Sequence, residues 1–305
     1  MSSLWDNIQG KWKLANGIWT DDSGNGNTLT ASGTVNQAVG FGGGANLAAD
    51  FTAGPYLYIT DAAQVGLDIT GAMTISAWFK LNVLNAAQIL VAKWNAAPNL
   101  AYALFVTSAN KGQFYVSSNG TATQYVLGST TLTTGVLYHL VGIYTGSQLQ
   151  LYLNSISDAT PVSYSSGIYN CNQDFRIGIN SGGLYPIDGV IDDVAIWSRA
   201  LSTQGITALY NAADDFVVGS ITGTIKDKDG TAVNCSTYNV RVNIYQKNNS
   251  TATPLYTQLV TASNGQWSQD GLVFGIKYLI TFEYEGSYTP TSETDIAGAE
   301  LLTAA

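Results

Sequence analysis

Glutamate is nearly missing from this chain. The first one is Glu283, so residues 1–282 contain none, and any carboxylate chemistry over that span falls to aspartate alone. Histidine occurs once, as His139, and cysteine twice, as Cys171 and Cys235. One imidazole and two separated thiols exclude a zinc site and a Cys–His nucleophile. They exclude a disulfide framework too, and two buried free thiols are expected instead, which suits folding in a reducing compartment. Charge is scarce: 11% of residues are charged and the net charge is −9, so the basic stripe that phosphates demand is lacking and nucleic acid is no partner. Residues 1–217 hold seven Lys or Arg against thirteen acids, and the remainder five against eight, so neither half conceals a basic domain. Long apolar runs are lacking as well. Nothing approaches the roughly 18 apolar residues of a membrane span, and the start MSSLWDNIQGKWKLANG has no basic segment followed by an apolar one. The sequence therefore predicts neither membrane insertion nor Sec export.

What the chain does contain is a period of two. Met73, Ile75, Ala77, Phe79 and Leu81 alternate with Thr74, Ser76, Trp78 and Lys80, as in a strand with one face on a core. Leu149, Leu151 and Leu153 repeat the pattern over 148–154, and Thr145-Gly146-Ser147 reads as a hairpin turn from the strand at 136–144. Loops of two or three residues both fit, and one step of register exchanges the faces of Tyr138 and His139. Further strands are expected near 56–60, 101–106, 113–117, 122–127, 175–179 and 190–197. Many short strands between Gly, Asn and Ser turns predict a two-sheet sandwich. One helix is expected, Ser202 to Ala212, with Ser202 as N-cap and Leu201, Ile206, Leu209 and Tyr210 available to dock. Gly205 takes the third helical position, where Glu would complete a capping box.

The stretch GVIDDVAIWSRALS at 189–202 carries the strongest family signal. With DDSGNGNTL at 21–29, MTISAWFKL at 73–81, ILVAKW at 89–94 and LYHLVGIYTGSQLQLYLNS at 137–155, it resembles the concanavalin A-like, laminin-G-like family in order and spacing. The resemblance covers roughly residues 1–213. After Asp214-Asp215 the pattern restarts with GSITGTIKDKDGTAV at 219–233, VRVNIYQ at 240–246 and a stretch at 261–286. This is similar to small prealbumin-like or carboxypeptidase-regulatory-like sandwiches, with Asp229-Gly230 and Asn264-Gly265 as hairpin signals. The fold expected is all-β, in two β-sandwich domains. Residues 1–215 form a concanavalin A-like jelly roll, and 218–305 a small Ig- or prealbumin-like sandwich whose last stretch, 289–305, is an extended arm or short helix.

The residues disfavour catalysis. Glucanases that share the concanavalin-like fold resemble one another in a strand bearing paired Glu, and no such strand exists here. Asp192 and Asp193 are adjacent, and neighbours on a regular strand point to opposite faces, so they cannot both flank one glycosidic bond. His139, in LYHLVGIY, reads as a packed histidine. The Gly-rich FGGGAN at 41–46 lacks the Lys and following helix of a phosphate loop and reads as a turn.

Two binding chemistries remain. DDSGNGN at 21–27 packs two acids and two amides closely, so Asp21, Asn25 and Asn27 offer oxygens for structural calcium. The family resemblance places this loop near the closing strand, adding Asp193 or Asp192. An Asx-rich turn capping its own backbone fits the same residues. For sugars, exposed rings stack on a pyranose face, and Trp94 in KWNAAPN, Tyr169 in GIYNCNQ and Tyr185 in SGGLYP are the candidates. Trp12, Trp78 and Trp197 read as framework residues. Laminin-G-like modules usually work outside cells, yet this start carries no export signal and the cysteines are unpaired. Bacteriophage proteins fold in the host cytoplasm and reach the exterior by lysis. The function expected is therefore a non-enzymatic virion surface protein, such as a capsid decoration, fibre or tail component. Its partners would be other virion proteins or copies of itself, and cell-surface glycans. The alternative is a bacterial cell-surface carbohydrate-binding adhesin module, extracellular rather than virion-borne.

Overall fold

Short alternating segments between turn residues form strands rather than helices, and the computed structural model is built almost wholly of them. It describes residues 4–40, 47–211, 218–224, 239–246, 256–260, 266–273, 277–285 and 300–303. The chain begins with β1 (Ile8–Trp12), β2 (Thr30–Ser32), β3 (Asn36–Ala38), β4 (Ala48–Asp50), β5 (Tyr56–Ile59), β6 (Met73–Leu81), β7 (Gln88–Trp94) and β8 (Leu100–Val106). It continues with β9 (Gly112–Gly120), β10 (Thr123–Leu127), β11 (Leu137–Tyr144), β12 (Gln148–Leu153), β13 (Ile156–Ser157), β14 (Val162–Ser163), β15 (Phe175–Ile177) and β16 (Gly189–Trp197). Helix α1 (Thr203–Asn211) follows, then β17 (Val218–Thr224), β18 (Asn239–Gln246), β19 (Tyr256–Val260), β20 (Gln266–Val273), β21 (Lys277–Glu285) and β22 (Glu300–Thr303).

Two compact units emerge, Trp5–Ile206 and the remainder. In the first, a nine-stranded sheet runs β13-β12-β11-β6-β16-β4-β3, with β1 also on β16 and β14 on β12. A seven-stranded sheet runs β10-β9-β8-β7-β15-β5-β2. In the second, β17 pairs β20, and β19-β18-β21-β22 form a four-stranded antiparallel sheet. The C-terminal stretch, expected as an arm or helix, thus contributes a strand on β21. The Asp229-Gly230 and Asn264-Gly265 turns lie outside the described residues, as do FGGGAN at 41–46 and Cys235.

The first unit's core lies between its sheets. Met73, Ile75, Ala77, Phe79 and Leu81 face it from β6, and Leu149, Leu151 and Leu153 from β12, as the alternation implies. Thr145 N donates to Gln148 O at 2.9 Å and closes the hairpin on Gly146, whose φ is 93°. Tyr138 faces the core, and His139, opposite Trp78, faces outward. The sheets approach closely at Gly142, where a Cβ would come within 2.5 Å of the Phe114 ring, so only glycine leaves Phe114 its place.

The alternation along β6 implies a polar, solvent-facing side. The outer face of β6 is not polar surface: Thr74, Ser76 and Trp78 are buried as well. Thr74 Oγ1 donates to Arg199 O at 2.8 Å and accepts from Leu201 N at 2.9 Å, which ties the start of α1 onto the sheet. The His139 ring stacks on Trp78 at 4.8 Å, and its Nε2 lies 2.7 Å from Ser76 Oγ. Trp5 stacks on Trp197 at 5.8 Å. A second aromatic layer thus replaces solvent on this side. Ser202 caps α1, its Oγ accepting from Gly205 N at 3.2 Å.

Burial lowers the His139 pKa from 6.5 to about 3. Between those values the unfolded chain binds the proton and the folded chain does not, so this residue makes stability fall as pH drops below about 6.5 and leaves it flat above. Wild type should lose about 2 kcal/mol more than His139→Gln between pH 7 and pH 5. Urea denaturation at the two pH values checks this, and equal losses would reject it.

Candidate functional site

The outer face of the seven-stranded sheet gathers the rings. Ala92, Ala103, Tyr115 and Tyr125 stand in one cross-strand row over β7, β8, β9 and β10. Successive residues alternate faces, so Phe114 and Val126 enter the core while Tyr115 and Tyr125 point away from it. Phe105 and Trp94 flank the row. Tyr115 is the hub, stacked on Phe105 at 4.8 Å and 17°, tilted on Trp94 at 5.4 Å, and edge-on to Tyr125 at 5.4 Å and 71°. These are the offset and edge geometries aromatic quadrupoles favour. Small Ala92 and Ala103 form the floor beside the rings, buried with Ile89 and Phe105. The rim is open: Tyr125 is 47% and Leu127 42% exposed.

A loop from β15 to β16 reaches the same group. Asn180 Oδ1 accepts from Gly182 N at 3.0 Å and Leu184 N at 2.7 Å, Ser181 N donates to Trp94 O at 2.8 Å, and Tyr185 O accepts from Ile89 N at 2.9 Å. Tyr185 sits at φ 59°, a left-handed conformation held by these bonds, with 49% of its surface open. The Tyr115 phenol pKa is raised by burial first, then by the Tyr125 and Tyr185 phenols.

Of the sugar candidates, the structure brings Trp94 and Tyr185 to this cluster. Tyr169 stands at the rim instead. Its N donates to Ser117 O at 2.6 Å, and its ring lies against Gly120, where a Cβ would also meet the Pro98 carbonyl of the Trp94 loop. Tyr115, Tyr125 and Phe105 went unnamed in the sequence reading, although the Phe114/Tyr115 and Tyr125/Val126 alternation marks their faces.

The calcium candidates are committed to backbone. Asp21 Oδ1 accepts from Lys11 N at 3.0 Å and Ser23 N at 2.8 Å, and Oδ2 from Ser23 Oγ at 2.8 Å and Asn27 N at 2.9 Å. The Asn25 amide donates to Ile8 O at 2.9 Å, and the Asn27 amide to Gln9 O and Val65 O, both at 2.8 Å. The loop follows the edge of β1 that turns away from β16, since the Lys11 N–H and carbonyl both point to it. Asp193, on β16, is buried beyond that strand. This bonding favours the Asx-turn reading. EDTA should therefore move the melting midpoint by no more than about 1 °C, while a drop of several degrees restored by calcium would show a bound ion.

Asp192 and Asp193 do not alternate as on a regular strand. A bulge makes Asp193 and Val194 together oppose Ala77, Asp193 adopts φ 45°, and Asp193 N donates to Asp192 Oδ1 at 2.9 Å. Both are buried, which serves the strand rather than a cleft.

One cluster of opposite charges was invisible in sequence. Lys93, 1% exposed, places Nζ 2.5 Å from Asp61 Oδ1, 2.8 Å from Asp68 Oδ1, 2.6 Å from Cys171 O and 2.9 Å from Gln173 O. Four oxygens of this kind would suit a hard cation, and here the chain's own ammonium fills the place. Cys171 is buried with a free thiol, its pKa raised by burial against the opposing pull of Lys93.

Among curated proteins none matches the sequence. Domain 4 of AbnA, a GH43 extracellular arabinanase from Geobacillus stearothermophilus solved with arabinotriose, shares the fold at TM-score 0.54 and 19% identity, covering 67% of this chain and 98% of that one. The binding domain of botulinum neurotoxin DC, solved with rat synaptotagmin II, does so at TM-score 0.56 and 15% identity, covering 95% and 76%. The same domain with SialylT gives TM-score 0.57 and 13% identity over the same shares. Residues 51–207 match the family model Laminin_G_3. With half of its length in that match and the paired sheets around it, the chain belongs to the Concanavalin A-like lectin/glucanases superfamily.

Proposed function

We propose that this chain is a non-catalytic, lectin-like carbohydrate-binding protein whose sugar stacks on the Tyr115-centred rings. The observation that carries the reading is that group: Trp94, Phe105, Tyr115 and Tyr125 packed on one sheet face, with Tyr125 half open and Tyr185 beside them. A pyranose offers a flat C–H face to such rings and hydroxyls to phenolic tips. Arabinotriose and SialylT in the two solved neighbours support a saccharide ligand on this fold. A lack of Glu before residue 283 and the burial of Asp192 and Asp193 support binding without hydrolysis.

The setting proposed is the surface of a bacteriophage particle, as a capsid decoration, fibre or tail component touching host glycans. The free Cys171 thiol supports folding in a reducing cytoplasm, and the sparsely charged composition suits dense packing beside copies of the same chain. Mass spectrometry of purified phage particles tests it, and recovery only from a bacterial envelope fraction would favour the adhesin reading. For the site, Tyr125→Ala should weaken glycan-array binding about tenfold while moving the melting midpoint by no more than about 2 °C, because its ring is half exposed. Undiminished binding would remove this face from the proposal.

A further inference from the structure

The ring face differs from most of the molecule in its charge, and that difference speaks to ligand class. No residue of β8, β9 or β10 is ionisable to a charge at neutral pH, and between Lys93 and Asp158 the sequence holds one formal charge, Lys111. Lys111 stands before β9, with Nζ donating to Ser129 O at 3.1 Å. β7 carries only Lys93, whose ammonium is enclosed with two carboxylates and two carbonyls behind Trp94. Arg176, next in the cross-strand row beyond Ala92, is already engaged: Nη2 donates to Asp174 Oδ2 at 3.1 Å, Nη1 to Asn180 O at 3.3 Å, and the guanidinium lies 4.7 Å over the Tyr56 ring.

Building on the carbohydrate reading above, we propose that this face takes uncharged saccharides and rejects acidic ones such as sialylated or uronic sugars. A carboxylate brought against Tyr115 and Tyr125 gives up its water and meets no free cation from β7, β8, β9 or β10 in return. The Lys93 ammonium with Asp61 and Asp68 sums to −1 and the Arg176–Asp174 pair to zero, so neither enclosed group attracts it. The net charge of −9 acts in the same direction at long range. A neutral pyranose pays neither cost, because ring stacking requires no counter-charge. SialylT in the neurotoxin binding domain belongs to the other chemical class, so the shared fold does not set the choice and the strand residues do.

The test uses the full chain and matched oligosaccharide pairs, a neutral chain and the same chain bearing one sialic acid, with oligogalacturonide as a second acidic probe, followed by calorimetry. The neutral member should bind at least about tenfold tighter, and its affinity should change less than about twofold between roughly 0.05 and 0.5 M salt. Thr123→Arg, which adds a cation on the exposed side of β10 two residues from Tyr125, should raise affinity for the sialylated member about tenfold, in a salt-dependent way, and leave the neutral member unchanged. Equal or tighter binding of the acidic member to wild type, weakening with salt, would overturn this inference and leave the carbohydrate reading standing. Binding of no saccharide of either class would overturn both.

Discussion

Lys93→Met is expected to destabilise the Trp5–Ile206 unit by about 3 kcal/mol. Removing one partner of a buried ionic group typically costs 3–5 kcal/mol, because the other charges stay behind without compensation. Here Asp61 and Asp68 keep 29% and 33% of their side-chain surface, so water repays part of the loss and the lower end applies. The carbonyls of Cys171 and Gln173 also lose their donor, and an unsatisfied buried acceptor adds to the penalty. For a unit of this size, such a loss lowers the melting midpoint by about 6–12 °C. Thermal denaturation followed by circular dichroism reads it directly. Lys111→Met, which removes a half-buried lysine whose ammonium donates at the surface to a single carbonyl, Ser129 O, should stay within about 0.5 kcal/mol. A Lys93 variant that melts with wild type would mean that the cage contributes nothing.

The second large effect belongs to Trp12. It is fully buried, stacks on Phe175 at 5.1 Å, and donates its indole N–H to Asn27 O at 2.7 Å. β1 lies in the nine-stranded sheet and β15 in the seven-stranded one, so this one ring spans the gap between them. Trp12→Ala should cost about 3–5 kcal/mol, as large aromatic truncations in cores do. Trp12→Phe keeps a ring for Phe175 but strands the Asn27 carbonyl, and should cost about 1–3 kcal/mol. The shift in urea midpoint measures both, and an Ala variant within 1 kcal/mol of wild type, about the scale of an ordinary surface change, would contradict this role.

Alternation made the inward faces of β6 and β12 legible, since every second residue there is apolar and core-facing. It did not reveal that Ser76 and Trp78 would also be buried, because the His139 ring covering them comes from β11. The bulge at Asp193 was hidden for a related reason: one residue of excess on β16 is defined only against β6. On the ring face, Trp94 and Tyr185 stood out as aromatics among turn residues. Tyr115 and Tyr125 sit in ordinary strand sequence, and only the pairing of β7 with β8, β8 with β9 and β9 with β10 sets them beside Trp94 and Phe105. The Lys93 cage draws on residues 61, 68, 171 and 173, segments that local pattern cannot connect.

The loop from Asp21 to Asn27 spends its side chains on the outermost main-chain groups of β1, with Asn25 and Asn27 occupying the carbonyls of Ile8 and Gln9 and Asp21 the Lys11 amide. Those are the groups through which a foreign strand would zip onto this margin. With them blocked, the sheet cannot be lengthened there by a neighbouring polypeptide, whether peptide ligand, swapped copy or nascent fibril. Crowding many copies side by side is safer for a protein whose border is sealed in this way.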